Sequence, residues 1–233
     1  MNKHKITSLI LVSALGIVIM TTFYYINNIE IESFLANYYV DGGVEETGAI
    51  NLVTAVLFDY RAFDTLGEAT VIFTAASAVA MLIPKKHTAM LRTEFTAIVH
   101  RTIALVLPFF FLISLHLIFN GHLSPGGGFT GGVVISAAVI CIIFTYGFLY
   151  MERRITIEGL SLVEDLGALA LLLLGIAGIA MSSHFFSSAQ AGFYLGNPGE
   201  LLSAGIMPLA NLAVGAKVGA GLSIIFIALA KEE

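Results

Sequence analysis

Cysteine and charge are both scarce in this chain. Its single cysteine, Cys141, lies inside an apolar run, which excludes a disulfide framework and a thiolate metal site. Charged residues make up 12% of the 233 residues, about half the roughly 25% share usual in soluble domains. The net charge of -5 and the confinement of basic clusters to short loops speak against a nucleic-acid surface. The residue alternation of a transmembrane barrel is absent. No small-x-small cleavage site follows the apolar stretch Ile6–Met20, so the first segment is expected to be an uncleaved span rather than a signal peptide.

What fills the chain instead is apolar side chain, at 58% of residues. A soluble fold of this length has no place to hide it, whereas lipid removes the need. A membrane-crossing helix takes about 20 apolar residues, and backbone groups at mid-bilayer must be paired inside their own segment. The fold class is therefore all-α, a polytopic membrane protein with about six spans near 6–26, 66–83, 102–119, 131–150, 162–181 and 205–229. With the N-terminus in the cytoplasm, Lys3, Lys5, Lys85, Lys86, Arg92, Arg101, Arg153, Arg154 and Lys231 all fall on the inner side. Only Arg61 then falls toward the outer side and Lys217 within a span, and both termini are expected to be cytoplasmic. Residues 48–83 would be roughly 54 Å long as one helix, well over the ~30 Å hydrocarbon core. An interfacial or tilted helix up to about Asp64, followed by the true span, is the expectation.

Three constellations carry candidate chemistry. Lys217 lies about 12 residues, or ~18 Å of helix, from the end of the last span, too far for its stem to reach water. Such a lysine faces a carboxylate, a carbonyl or a water-filled cavity, and intramembrane ionisable groups mark ion or proton pathways. The alternative is a structural lysine paired to a neighbouring subunit. Gly215 and Gly219 beside it form a small-residue ridge suited to helix packing. In the second constellation, Arg61, Asp64 and Glu68 fall within about 60° of one another on a helix, while Asp59 points away. This row is half of a proton path or a salt-bridged, solvated face. Solvation is the expectation for Asp59 and Arg61, and the two readings stand level for Glu68. The third is His122-Leu-Ser-Pro125-Gly126-Gly127-Gly128-Phe-Thr-Gly131-Gly132, whose five glycines and one proline in eight residues call for a tight or re-entrant turn. It lacks the Gly-Lys-Ser/Thr ending of a phosphate loop. His116 and His122 flank it as proton relays or as packing residues. A haem is not expected, because His100 and His116 sit at opposite ends of the third span and His184 follows the fifth.

At these residues the chain resembles known families. The stretch His122–Gly132 resembles the signature loop of the MnhB domain, which forms the B subunit of Mrp-type multisubunit Na+/H+ antiporters. The span Asn211–Gly221 resembles that domain's closing helix, and the likeness covers about residues 95–230. Asn51–Glu68 resembles the E subunit of membrane-bound hydrogenases, found also as the C-terminal module of the Mrp A subunit. The resemblance implies two modules, 1–90 with two spans and 91–233 with four. It further implies a non-catalytic membrane subunit of a cation/proton antiporter, with no cofactor of its own, in the cell membrane. Its expected partners are Mrp A, C, D, E, F and G-like subunits, with Na+ and H+ as transported ions. The alternatives are the equivalent subunit of a ferredoxin-linked hydrogenase or related respiratory complex, and a purely structural assembly subunit. The matched motifs point to Asp59, Arg61, Asp64, Glu68, the glycine loop and Lys217.

Overall fold

The structure, a computed structural model, describes residues 3–28, 34–82, 96–147, 150–151, 153–182, 184–189 and 191–230. The end of the expected second span at Ile83, the basic residues Lys85, Lys86, Arg92 and Lys231, the boundary near residue 90 and part of 131–150 lie outside the described residues. The chain forms two compact units, Met1–Tyr38 and Tyr39–Glu233. The first contains α1 (Lys3–Asn28), whose described side chains are all exposed along its apolar length.

Helix α2 (Phe34–Thr47) crosses from the first unit into the second. The second unit continues with α3 (Leu52–Ala55), a π-helical turn (Val56–Tyr60), α4 (Ala62–Leu82), α5 (Ala97–Phe119), α6 (Gly128–Tyr146), α7 (Ile157–Ser182) and α8 (Met207–Ala230). Every regular element among the described residues is helical, as a chain that must satisfy its own backbone in lipid requires. Among the described residues five helices are long and apolar enough to cross a membrane: α1, α5, α6, α7 and α8. Helix α4 occupies the position of the expected second span but carries Asp64 in its first turn and Glu68 one turn later, and is not among those five.

Helix α8 is the centre of the second unit, packing against α4, α5, α6 and α7. Residues Ala210, Ala213, Val214 and Val218 place it in the main core with Phe58, Leu171, Phe186 and Met207. Glycine sets where α6 begins and ends. Gly127 precedes it at φ +98° and Gly147 follows at φ +85°, both in the left-handed region that a side chain resists. The expected split of residues 48–83 is also present. Asn51 caps α3 by accepting from the Val53 amide at 3.1 Å, and the chain breaks at Arg61, with φ -132° and ψ 39°, before α4 starts.

Candidate functional site

The helices close around Lys217 because small residues face it. A Cβ on Gly167 of α7 would lie 2.8 Å from the Ala213 carbonyl oxygen and 2.9 Å from the Lys217 amide nitrogen, so only glycine lets α7 approach α8 here. On the other side of the lysine, a Cβ on Gly221 would stand 2.7 Å from Oε1 of Glu164. The space so left holds the Glu164 carboxylate, whose Oε1 lies 3.7 Å from Lys217 Nζ, with the two side chains 5% and 3% exposed. The Phe73 ring of α4 completes the setting, its centroid 5.3 Å from Nζ. Neither Nζ nor Oε1 has a hydrogen-bond partner among the described residues. Lys217 thus finds a counter-charge within its own chain. Glu164 escaped the sequence reading, although an acid inside the run 162–181 is the same signal that singled out Lys217.

The glycine loop is a tight turn that brings α6 down onto α8. Asn211 of α8 accepts the Gly128 amide at 2.8 Å through Oδ1, and its Nδ2 donates to the Met207 carbonyl at 3.2 Å. Gly132 meets the other end of the ridge, where a Cβ would fall 2.8 Å from the Gly215 carbonyl and 2.9 Å from the Gly219 amide. Ser114 of α5 donates to the Gly131 carbonyl at 2.8 Å. Gly126 and Gly127 hold φ of +132° and +98° beyond Pro125. The turn is gripped from the amino-terminal half as well: Asn51 Nδ2 donates to the carbonyls of Gly121 and Ser124, each at 2.8 Å, and Thr54 Oγ1 donates to Gly121 at 2.6 Å.

The two histidines flanking this turn part company. His122 is fully buried, with Nε2 3.4 Å from the Glu200 carbonyl and its own carbonyl accepting the Asn51 amide at 3.0 Å. Its Nδ1 has no hydrogen-bond partner among the described residues, and burial pushes its pKa below the ordinary histidine value. His116 lies on the exposed side of α5, 3.1 Å from Asn120 Nδ2. His100 and His184 do not join them. Among the described residues no three His, Cys, Asp or Glu side chains gather as a metal site.

In the row at the start of α4, Arg61 lies on a solvated face as expected, and Asp59 does not. Arg61 pairs with Asp64 in the open, and Glu68 is exposed one turn on. Asp59, expected on the solvated face, is the half-buried member. The π turn swings it toward the loop after α7, where the Ser188 amide donates to it while Phe58 stacks on Phe186 at 5.7 Å. Asp59 lies in the π turn, before α4 begins at Ala62. Burial, opposed by the Ser188 hydrogen bond and reinforced by the nearby Glu46 charge, pushes its pKa up to about 6.

Residues 98–224, with both the glycine loop and the Lys217 helix, match the family model described as a domain related to the MnhB subunit of Na+/H+ antiporter. The chain belongs to the MnhB family. Residues 3–95 match a second model, that of the E subunit of MBH. An uncharacterized protein of Methanocaldococcus jannaschii is 31% identical, over 85% of this chain and 86% of its own length. Among solved structures, a chain of the membrane-bound sulfane sulfur reductase (MBS), an archaeal respiratory membrane complex, superposes with TM-score 0.78 at 32% identity, covering 96% of this chain and 98% of that one. A chain of the Mrp complex from Dietzia shares the fold with TM-score 0.75 at 22% identity, covering all of this MnhB chain and 26% of that one. This MnhB chain is a multi-pass membrane subunit of an antiporter-type module, with other membrane subunits as its neighbours.

Proposed function

We propose that this MnhB subunit contributes part of the ion or proton path in a Na+/H+ antiporter module, and that it does no catalytic chemistry itself. The observation that carries the reading is the Lys217–Glu164 pair: two ionisable side chains, buried at membrane depth, 3.7 Å apart and otherwise without hydrogen-bond partners among the described residues. A buried ion pair is a poor source of stability against well-packed apolar residues of the same volume. Charge kept in such a place is explained by a charge that passes. The glycines that bring α6 and α7 against α8 serve this reading by fixing the lysine's surroundings.

Around that centre, the remaining roles follow the charge pattern. The loops carrying Asp59, His122, Ser188 and Glu200 meet at one end of the second unit. We place this end on the outer side and both termini in the cytoplasm, which the excess of Lys and Arg in the opposite segments supports, and the chain in the plasma membrane. Asp59 and His122 are candidate groups at the mouth of the path, while Arg61, Asp64, Glu68 and His116 sit on exposed faces available to partner subunits. Residues 1–90 and 91–233 act as two modules joined at the glycine turn by Asn51 and Thr54, and the partners are Mrp A, C, D, E, F and G-like subunits.

Replacing Lys217 by Ala, and separately Glu164 by Gln, is expected to abolish Na+/H+ exchange in membrane vesicles while the complex persists on native gels. Normal exchange by either assembled variant overturns the path reading, and loss of the complex itself assigns the pair an assembly role. A second reading places the chain in a ferredoxin-linked respiratory complex. It is favoured by the full-length match to a chain of MBS, against a match to about a quarter of the Mrp chain. Purifying the native complex and recording iron–sulfur spectra separates the two, since an antiporter with its full set of membrane subunits shows none.

A further inference from the structure

Glu164 and its neighbour Asp165 lie about 100° apart around α7. Glu164 turns inward to Lys217, whereas Asp165 is exposed. Asp165 lies eight residues into a helix long and apolar enough to cross the membrane, roughly 12 Å from its start at Ile157. Among the described residues it forms no ion pair, although its charge lies near enough to act on both Glu164 and Lys217. Lys217 has Glu164 as its ion-pair partner. Arg153 and Arg154 lie before the first turn of α7, and the Arg154 guanidinium stacks 5.6 Å over the Tyr150 ring.

The surface around Asp165 is a groove of about 420 Å³ lined by Glu158, Ser161, Leu162, Leu166 and Leu169 as well as the aspartate. Spacings of three, four and seven residues put Glu158, Ser161, Leu162 and Asp165 on one stripe of the helix. Exposed leucines alone would say nothing here, because lipid covers them as well as protein does. A carboxylate at this depth is different. Hydrocarbon neither solvates nor pairs it, so an ionisable group on the outer face of a span marks a protein neighbour that supplies its partner.

We infer that this stripe of α7 is the seat of a transmembrane helix from a neighbouring subunit, and that this helix brings a Lys or Arg to Asp165. The apolar members of the stripe receive its side chains, and the aspartate fixes its register and identity, as a single polar position does between packed helices. The inference rests on α7 crossing the membrane and is independent of whether Lys217 and Glu164 conduct.

A photo-crosslinking amino acid placed at Leu169, in the otherwise native complex in its own membranes, tests this directly, with the same label at Leu105 on the exposed side of α5 as the comparison. The expected product from position 169 is an adduct with a span of another subunit carrying Lys or Arg at the same depth. Asp165→Lys is expected to remove that subunit from the purified complex on native gels. Changing the identified basic residue to Asp in the Asp165→Lys background is expected to restore it. Adducts only with lipid or with a second copy of this chain, or an adducted span without a basic residue, overturn the proposal. So does full retention of the neighbour by Asp165→Lys. If Asp165→Lys fails to accumulate, Asp165→Asn serves instead, with loosened retention of the neighbour in rising detergent expected and wild-type retention contrary to the proposal. Since subunit retention and not exchange is read, failure here leaves the path reading untouched.

Discussion

Two parts of this molecule carry opposite charges side by side, and the fold treats them in opposite ways. At the start of α4, Arg61 and Asp64 pair in the open, with exposed Glu68 one turn further on. Between α7 and α8, Lys217 and Glu164 are almost wholly withdrawn from the surface. The residue types are alike and both groups sit on long helices. The difference lies in what flanks them. Gly167 and Gly221 let neighbouring backbones and a carboxylate come within distances that a Cβ would forbid, so the pair is enclosed on several sides. No comparable glycine contact surrounds the Arg61 row; Gly67 faces open space. Backbone approach, more than charge, decides which ionisable groups become an enclosed site.

That contrast can be broken most forcefully at the glycines. Gly132→Leu drives a side chain into the Gly215 carbonyl and Gly219 amide, and the complex is expected to disappear from native gels, since neither obstacle is a flexible side chain. Next comes the enclosed pair. Removing one member of a buried ion pair costs roughly 3–5 kcal/mol in soluble proteins. Lys217→Ala alone should therefore lower the thermal unfolding midpoint of the complex more than Lys217→Ala combined with Glu164→Gln, and equal losses would argue against an energetic coupling of the two.

Asp59 gives a smaller effect with a defined pH window. Its folded-state pKa of about 6 stands above the ordinary 3.8, so the fold favours the protonated form. The contribution to stability is fully present below about 4 and is lost as pH rises through about 6. Asp59→Asn should be more stable than the parent at pH 8 and show a flatter melting profile between pH 4 and 8, measurable on the purified complex. Least is expected from the open row. Arg61→Ala should change stability by no more than about 1 kcal/mol, because exposed ion pairs contribute little. A large loss there would mean that a neighbouring chain covers the row in the assembly.

The order of these effects also marks what was legible in the chain. Its apolar runs located every long helix, since the requirement for about 20 apolar residues is local, and the length and charges of residues 48–83 called for a change of helix near Asp64, which the structure makes at Arg61. Lys217 stood out for the same local reason. The burial of Asp59 did not, because it depends on a π turn and on the loop carrying Phe186 and Ser188, over a hundred residues further along the chain. Glu164 carried a usable signal, an acid inside an apolar run, but nothing in its neighbourhood says that it is the buried partner of Lys217 while Asp165 is exposed. The sequence by itself determined an all-helical membrane protein, its approximate spans, a lysine deep in the last helix and a glycine turn. Tertiary structure alone decided which charges meet, because pairing across helices is set by the contact of backbones at Gly132, Gly167 and Gly221, residues that lie far from one another along the chain and close only when α6, α7 and α8 pack.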